Sequence, residues 1–224
     1  MRHAHASFGG DGGHRRFGRY TVGARVYDAV SLEWPVYRPG RRSGVEMLRL
    51  HPGDHVLDIG CGTGLNLPLL TAAVGPGGAV CGVDLSASML ARAAARVRRH
   101  GWANVSVVRA DASTDDLAAV VGAGPFDAVL FTYSLSVIGD GGTAWASALA
   151  ATRPDGRLAV VDLAMPTGGW RALAPLARLA CFTGGVDLQR RPWRWVERDC
   201  RDVGRRTLRG GHIQVAAGIV PPSL

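Results

Sequence analysis

The chain has 224 residues, of which 47% are hydrophobic, and its 26 basic residues, all arginine, outnumber 18 acidic ones. This length suits one α/β domain, and no apolar run approaches the ~20 residues that a membrane-spanning helix needs. The four cysteines are scattered without a C-x-x-C pair, which predicts a reduced, cytoplasmic protein and gives no sign of a zinc site.

Residues 1–18 are rich in Gly, His and Arg without a hydrophobic period, which predicts a disordered tail ahead of one domain over 19–224. Apolar residues at helical spacing, interrupted near Pro35 and Pro39, predict two short helices within 20–50. Beyond them, strand-like apolar runs alternate with helical patterns. We predict strands near 55–59, 79–83, 105–109, 127–132 and 157–162, and helices at 64–73, 86–99, 114–121 and 142–151.

The last sixty residues follow a different pattern. Residues 165–200 contain Pro, Trp and Arg and are predicted to be an insertion on the substrate side. Two final strands, near 203–208 and 212–219, flank Gly210 and Gly211 and should pair as a hairpin at the sheet edge. Because strands alternate with helices before this point, we expect an α/β fold with a mostly parallel, seven-stranded sheet and helices on both faces.

The most informative stretch is VLDIGCGTGLNLPLL at 56–70. An apolar run ends in Asp58 and passes into a loop with Gly60, Gly62 and Gly64. Glycines let a ligand lie against bare backbone amides at a helix N-terminus, which is how a Rossmann-type sheet holds a nucleotide-like cofactor. Twenty residues after Gly64, a second apolar run ends in Asp84, which is placed to accept both hydroxyls of a ribose.

The G-x-G-x-G spacing, with an acid two residues earlier, resembles the first motif of the class I S-adenosylmethionine (SAM)-dependent methyltransferases. RADAS at 109–113, FDAVLFTYSLSV at 126–137 and RPDGRLAVVDL at 153–163 continue the resemblance in order. It implies a Rossmann-like fold with SAM as cofactor. The residues it assigns to SAM are Asp58, Gly60, Cys61, Gly62 and Gly64 at the loop, Asp84 and Leu85 at the ribose, Asp111 and Ala112 at the adenine, and Thr132 at the amino acid end.

The N-terminal segment carries a second resemblance. Tyr27-Asp28, Tyr37 and Arg38-Pro39-Gly40-Arg41 are similar to the Y-D…Y…G-R segment of bacterial lipid N-methyltransferases. This implies N-terminal lid helices over 19–50, with Tyr27, Tyr37 and Arg38 near the methionine carboxylate of SAM. That group has G-R-D where this chain has Gly40-Arg41-Arg42, so the chain departs from it on the acceptor side.

The end of the fourth predicted strand, TYSLSV, should direct Tyr133 and Ser134 into an acceptor pocket, and Tyr133 is a candidate catalytic residue. Methylation of oxygen or carbon needs a base, for which His212, Asp140 and Asp162 are candidates, with His212 the best placed histidine. Methylation of a neutral amine needs no strong base. We find no His/Asp/Glu cluster with the spacing of a metal site and predict no metal dependence.

A net charge of +8 is compatible with nucleic acid, an anionic membrane surface or an acidic substrate, although a GC-rich coding sequence explains the arginine bias equally well. The strand-four segment lacks the N-P-P-Y clamp that holds a flipped base, which argues against nucleic acid. Trp170 and Leu173, followed by Leu176 and Leu179 at helical spacing, are compatible with peripheral membrane contact.

We therefore predict a SAM-dependent methyltransferase with a small-molecule or lipid-like acceptor. The nearest resemblance implies that the acceptor atom is an amine nitrogen. An O- or C-methyltransferase of a natural product or quinone is the first alternative. A non-catalytic SAM-binding subunit and a nicotinamide-dependent oxidoreductase are the others. The sequence makes no prediction of the oligomeric state.

Overall fold

The computed structural model describes residues 36–175, 178, 181 and 186–222. The predicted tail, Tyr27 and the first of the two predicted N-terminal helices lie outside these residues. The α-helices are α1 (Arg38–Leu48), α2 (Leu67–Val74), α3 (Ala87–His100), α4 (Leu117–Val121), α5 (Gly141–Ala151) and α6 (Trp193–Asp199). The strands are β1 (His55–Ile59), β2 (Ala79–Asp84), β3 (Val105–Arg109), β4 (Phe126–Thr132), β5 (Thr152–Leu163), β6 (Arg201–Leu208) and β7 (Ile213–Ile219).

The seven strands form one sheet in the order β3-β2-β1-β4-β5-β7-β6. Strands β1 to β5 are parallel, and the β6–β7 hairpin completes the sheet with β7 antiparallel to β5. The predicted mostly parallel seven-stranded sheet and its edge hairpin are therefore confirmed. The chain reverses strand order beside β1 and β4, and ligands of such sheets bind at the carboxyl ends of the strands near that point.

Helices cover both faces of the sheet, as expected for parallel strands that are apolar on both sides. One core cluster unites side chains of α1, α2 and α3 with one face of the strands, including Leu48, Leu70 and Ala93. The opposite cluster includes Leu117 of α4 and Trp145 of α5. Helix α6 joins this second cluster. The loops at the strand ends are thus held by a sheet that is packed from two sides.

Helix boundaries follow local chemistry where a cap is present. Ser86 begins α3, accepting a hydrogen bond from the Met89 N–H, and Gly101 ends it with φ +66°. The break predicted near Pro39 agrees with the start of α1 at Arg38, because Pro39 lies in the first turn, where its missing N–H costs no helical hydrogen bond. The start predicted at residue 64 is wrong, because Gly64 has φ +77° and the helix begins at Leu67.

The predicted insertion at 165–200 contains a 3₁₀-helix at Gly168–Leu173 and helix α6. Trp193 and Val196 of α6 are buried against the sheet, so this part of the segment belongs to the core. Trp170 lies over Gly210 at the hairpin turn but keeps 48% of its surface exposed. Leu176 and Leu179 lie outside the described residues. Among the helices that the structure describes, we find none that is both long and apolar enough to span a membrane.

Candidate active site

The glycine loop follows β1 at the carboxyl edge of the sheet. The N–H groups of Gly60 and Cys61 both donate to the Val83 carbonyl, at 2.8 and 2.9 Å, which turns the loop over β2. Gly60, Gly62 and Gly64 have φ values of +71°, +56° and +77°, a region that residues with a side chain rarely adopt. No atom lies within 4 Å of the position that a Cβ on Gly62 would take. The loop therefore presents open backbone, as a nucleotide-like ligand requires.

Asp84 ends β2 directly beside this loop. One of its carboxylate oxygens accepts from the Gly62 N–H at 2.9 Å, and the other accepts from the Ser86 N–H at 2.8 Å. Burial raises the pKa of Asp84, while the two backbone donors lower it. Each carboxylate oxygen can accept a second hydrogen bond, so the group has acceptor capacity left for ligand hydroxyls.

Asp58 is completely buried beneath the loop and supports it from within. The side-chain amide of Asn66 donates to both Asp58 oxygens, at 2.9 and 3.1 Å, and also reaches Thr132 Oγ1 at 3.1 Å. Arg41 of α1 donates to the side-chain oxygen Oδ1 of Asn66 at 3.2 Å. Burial raises the pKa of Asp58 to about 6, opposed by the Asn66 hydrogen bond and the Arg41 charge. This network ties α1, the loop and β4 together.

Two members of this network, Arg41 and Asn66, were missed by the sequence reasoning. An asparagine at the entry of an otherwise apolar helix was the available signal for Asn66. Arg38, chosen from the resemblance, is exposed, whereas Arg41 one turn later reaches the loop. A role of Arg38 in cofactor binding stays a prediction, and Tyr27 lies outside the described residues.

The corner after β3 forms a compact polar turn. Asp111 accepts from the N–H and hydroxyl of Ser113, at 3.0 and 2.5 Å, and its own N–H donates to the Asp115 carboxylate at 2.8 Å. Ala112 is buried. Because β3 pairs with β2, Arg109 lies opposite Asp84, so this corner follows the same sheet edge. The carbonyl of Leu85 is held there by Arg109 Nε at 3.1 Å.

Cys61 serves packing rather than reactivity. Its side chain is buried, and its sulfur lies close to Gly82 of β2. Burial raises the pKa of the Cys61 thiol well above its ordinary value, and the charges of Asp58 and Asp84 add to that effect. A thiol that stays protonated is a poor nucleophile, so only the backbone of Cys61 is available to a ligand.

An aromatic group lies where β4, β5 and β7 meet α1. Tyr133 has φ +56°, and its hydroxyl donates to the Tyr37 carbonyl at 2.9 Å. The rings of Tyr37 and Tyr133 meet edge to face at 5.2 Å, and the Arg41 guanidinium lies 5.2 Å from the Tyr133 ring centre. The His212 ring is 6.4 Å from that of Tyr37. The predicted candidates Tyr37, Tyr133 and His212 are thus brought together.

His212 is held in one orientation by a backbone acceptor. Its Nδ1 lies 2.7 Å from the carbonyl oxygen of Ala164, in the segment that follows β5. A carbonyl can only accept a hydrogen bond, so Nδ1 carries the proton and Nε2 of the neutral ring is the basic nitrogen. The hydrogen bond to Ala164 thus fixes the orientation of the ring.

The two carboxylates that the sequence offered as bases have other tasks. Asp162 is fully buried and accepts three hydrogen bonds, from the Ser136 N–H at 3.0 Å, the Ser136 hydroxyl at 2.7 Å and the Leu163 N–H at 2.8 Å. Burial raises the pKa of Asp162 to about 6. Asp140 caps α5 through Thr143, whose hydrogen bonds lower its pKa. Of the three candidates, only His212 keeps a ring nitrogen that has no hydrogen-bond partner among the described residues.

The side chain of Ser134 is also directed differently from the prediction. It was expected to point into an acceptor pocket. Instead it is buried, and its hydroxyl donates to the Ile59 carbonyl at 2.8 Å. A Cβ on Gly60 would collide with this side chain, so Ser134 packs under the glycine loop and joins the end of β4 to the end of β1.

Comparison with known proteins agrees with this geometry. A family model described as a methyltransferase domain matches residues 56–156. Nocamycin O-methyltransferase of Saccharothrix syringae is 34% identical over 68% of this chain and 53% of its own length. Aklanonic acid methyltransferase DauC of Streptomyces sp. (strain C5) is 30% identical over 70% of this chain and 68% of its own length. An O-methyltransferase family protein from Burkholderia thailandensis has a TM-score of 0.65 at 20% identity, covering 92% of this chain and 63% of that one.

The chain spans about half the length of the nocamycin relative, so the comparison concerns the domain that the two proteins share. Within that domain, the matched region contains the glycine loop, Asp84, Asp111 and β4. The loop with three positive-φ glycines and the acid at the end of β2 lie where the family model applies, as do strands β2, β3 and β4. The chain therefore belongs to the class I SAM-dependent methyltransferase family.

Proposed function

We propose that this protein transfers the methyl group of SAM to an oxygen atom of a small-molecule acceptor, with His212 as the general base. The observation that carries the proposal is the orientation of His212. Its Nδ1 is committed to the Ala164 carbonyl beside Tyr37 and Tyr133, which leaves Nε2 as the basic nitrogen. The O-methyltransferase name of the Saccharothrix relative points to the same chemistry.

The residues that would hold SAM fit it in shape and chemistry. The open backbone at Gly62 suits the amino acid part, and Asp84 has acceptor capacity for the ribose hydroxyls. Asp111 would accept from the adenine amino group. Arg41 donates a hydrogen bond to Asn66 beside the loop. It would bind the methionine carboxylate of SAM, the role that was predicted for Arg38. When bound, SAM supplies a methyl carbon on a positively charged sulfur.

On the acceptor side, His212 Nε2 would take the proton of an acceptor hydroxyl as the oxygen approaches the methyl carbon. Transfer would leave the electron pair of the carbon–sulfur bond on sulfur, so that the other product would be S-adenosylhomocysteine and the acceptor proton would go to His212. Tyr133 would line the site, since its hydroxyl is committed to the Tyr37 carbonyl and its ring is fixed by Arg41. Alignment of the acceptor and exclusion of water are the main contributions expected of the protein.

Methylation of an amine nitrogen is the alternative that the N-terminal resemblance supports. It differs from oxygen methylation in one testable way. A neutral amine attacks without losing a proton first, so an N-methyltransferase would not depend on His212 as base. Carbon methylation, the other alternative, keeps that dependence. Peripheral membrane contact would be expected only with a lipid-like acceptor. It would use Trp170 and its neighbour Arg171, which are both exposed.

The test is an incubation of purified protein with methyl-labelled SAM and a whole-cell extract, followed by partition into organic and aqueous phases. Nuclear magnetic resonance of the labelled product then identifies the methylated atom. We expect an O-methyl product and a loss of about 10²- to 10⁴-fold in turnover for His212→Gln, the usual contribution of a general base. His100→Gln is the matched control, because His100 is exposed and stacks on Trp102.

An N-methyl product that His212→Gln still forms at the normal rate would replace the oxygen proposal by the amine one. If the natural chain forms a C-methyl product and His212→Gln does not, His212 remains the proposed base and the acceptor is a carbon nucleophile. Binding of SAM without label transfer to either phase would favour the non-catalytic subunit.

A further inference from the structure

A cavity lies away from the glycine loop, between the C-terminal half of α1 and the strands at the hairpin edge. Its volume is about 370 Å³. The position follows from strand register, because Arg157 pairs with Ile219 near the start of the parallel part of β5, whereas the glycine loop lies at the carboxyl ends of the strands. Its lining includes Glu46, Arg49, Arg157, Asp202, Gly204 and Arg206.

The charges around this cavity do not balance. Four arginines line it against two carboxylates, which leaves a net charge of +2. Both carboxylates form ion pairs: Glu46 lies 2.8 Å from Arg206, and Asp202 lies 3.3 Å from Arg201. Arg205 pairs with Glu197 at 2.7 Å.

Arg49 and Arg157 are the cations left over. Among the residues that the structure describes, no carboxylate lies within ion-pair distance of either guanidinium. Partial burial lowers the pKa of Arg157, the charge of Arg49 lowers it further, and Asp202 opposes both. Two like charges thus face one cavity, and the guanidinium of Arg157 is partly buried, so an anion between Arg49 and Arg157 would relieve their repulsion.

Two small residues, Gly204 and Ala217, line the cavity and lie opposite each other in the ladder of β6 and β7. A Cβ on Gly204 would come within 3.2 Å of the Met47 methyl carbon, so the glycine leaves room for Met47, which also lines the cavity. Planar guanidinium groups match the paired oxygens of phosphate.

We propose that this cavity binds the phosphate or pyrophosphate group of a small anionic ligand between Arg49 and Arg157. The site is separate from the methyl-transfer site and does not depend on the proposed acceptor. The charge imbalance, and the two guanidinium groups that have no carboxylate partner among the described residues, support the same class of ligand.

The test is isothermal titration calorimetry of the full chain with inorganic pyrophosphate and, separately, with phosphate. The test variant is Arg49→Asn with Arg157→Gln. Asparagine is chosen because Arg49 has φ +48°, a conformation that asparagine tolerates. Arg42→Gln with Arg99→Gln is the control, since both side chains are exposed, the same two charges are lost and neither residue lines the cavity.

We expect one-to-one binding by the natural chain and by the control, and a loss of about tenfold for each guanidinium removed from the cavity. Arg49→Lys with Arg157→Lys should weaken binding less, because charge is kept while the planar fork is lost. Thermal melting checks that each variant folds, and if the Asn/Gln double variant does not fold, the lysine variant decides.

Absence of pyrophosphate binding by the natural chain would overturn the proposal, as would equal losses in the cavity and control variants. Sedimentation with phosphatidylcholine vesicles, with and without phosphatidic acid, separates the sources of the group. Binding of free pyrophosphate without vesicle binding indicates a soluble ligand. Vesicle binding that needs phosphatidic acid, Arg49 and Arg157 indicates a lipid headgroup.

Discussion

Replacement of Asp84 tests the cofactor site most directly. Its carboxylate accepts from the Gly62 and Ser86 N–H groups and should also accept from both ribose hydroxyls. Hydrogen bonds to a charged group contribute about 1.5–3 kcal/mol each, so loss of two ligand bonds in Asp84→Ala should cost about 3–6 kcal/mol. That predicts at least a hundredfold weaker binding of S-adenosylhomocysteine, measured by isothermal titration calorimetry.

Part of this loss comes from the loop rather than from the ribose, because Asp84→Ala also leaves the Gly62 N–H without its acceptor. A double-mutant cycle separates the two contributions. The second perturbation is a cofactor analogue that lacks the ribose 2′-hydroxyl. If Asp84 contacts that hydroxyl, the natural chain should bind the analogue about tenfold less well, and Asp84→Ala should bind it as well as S-adenosylhomocysteine.

Asp140→Ala serves as the control, since Asp140 is an exposed carboxylate that caps α5. Unchanged affinity in Asp84→Ala would refute the ribose assignment altogether. Weaker binding in which the analogue and the natural ligand lose affinity equally would show that Asp84 only supports the loop.

Two further predictions concern stability. Gly60→Ala combines φ +71° with a collision against Ser134, whereas Gly62→Ala at φ +56° meets no atom within 4 Å. We expect about 1 kcal/mol of destabilisation for Gly62→Ala and about 2–4 kcal/mol for Gly60→Ala in urea unfolding, and equal losses would contradict the predicted collision. Asp58 and Asp162 have folded pKa values of about 6 against an ordinary 3.8, so the folded state binds their protons more tightly. Their contribution is complete below pH 4 and is lost as the pH rises to about 6, by about 3 kcal/mol per group. Asp162→Asn should flatten the stability profile between pH 4 and 6, and an unchanged slope would refute the assignment.

The fold could be predicted largely because its signals are local. Apolar runs separated by helical patterns determine the order of elements, and Ser86 and Gly101 mark the ends of α3 by side-chain capping and a left-handed turn. The glycine loop was also predictable, since its backbone conformation depends on residue type at three neighbouring positions. The error at Gly64 arose because a left-handed glycine of the loop was counted as the first residue of the helix that follows.

The side-chain network of the site was less predictable because its partners are distant in sequence. Asn66 joins Asp58 to Thr132, a residue 66 positions away, and Arg41 reaches Asn66 from a helix that precedes the sheet. Ser134 shows the same limit. Its position after β4 suggested the acceptor pocket, but a hydrogen bond to Ile59, across 75 residues, directs it under the loop.

Asp162 and His212 show why residue type and strand position do not identify a base. Both lie at the end of the sheet where the acceptor is expected. The pKa of Asp162, about 6, would suit a general base. Its oxygens, however, accept three internal hydrogen bonds and have no exposed surface, so a proton gained there would come at the expense of the Ser136 contacts. His212 uses Nδ1 for its bond to Ala164, and Nε2 has no hydrogen-bond partner in the part of the chain that the structure describes, so a proton on Nε2 would not break the bond that orients the ring. Hydrogen-bond capacity left after folding, rather than the pKa alone, therefore makes His212 the residue to test as the base.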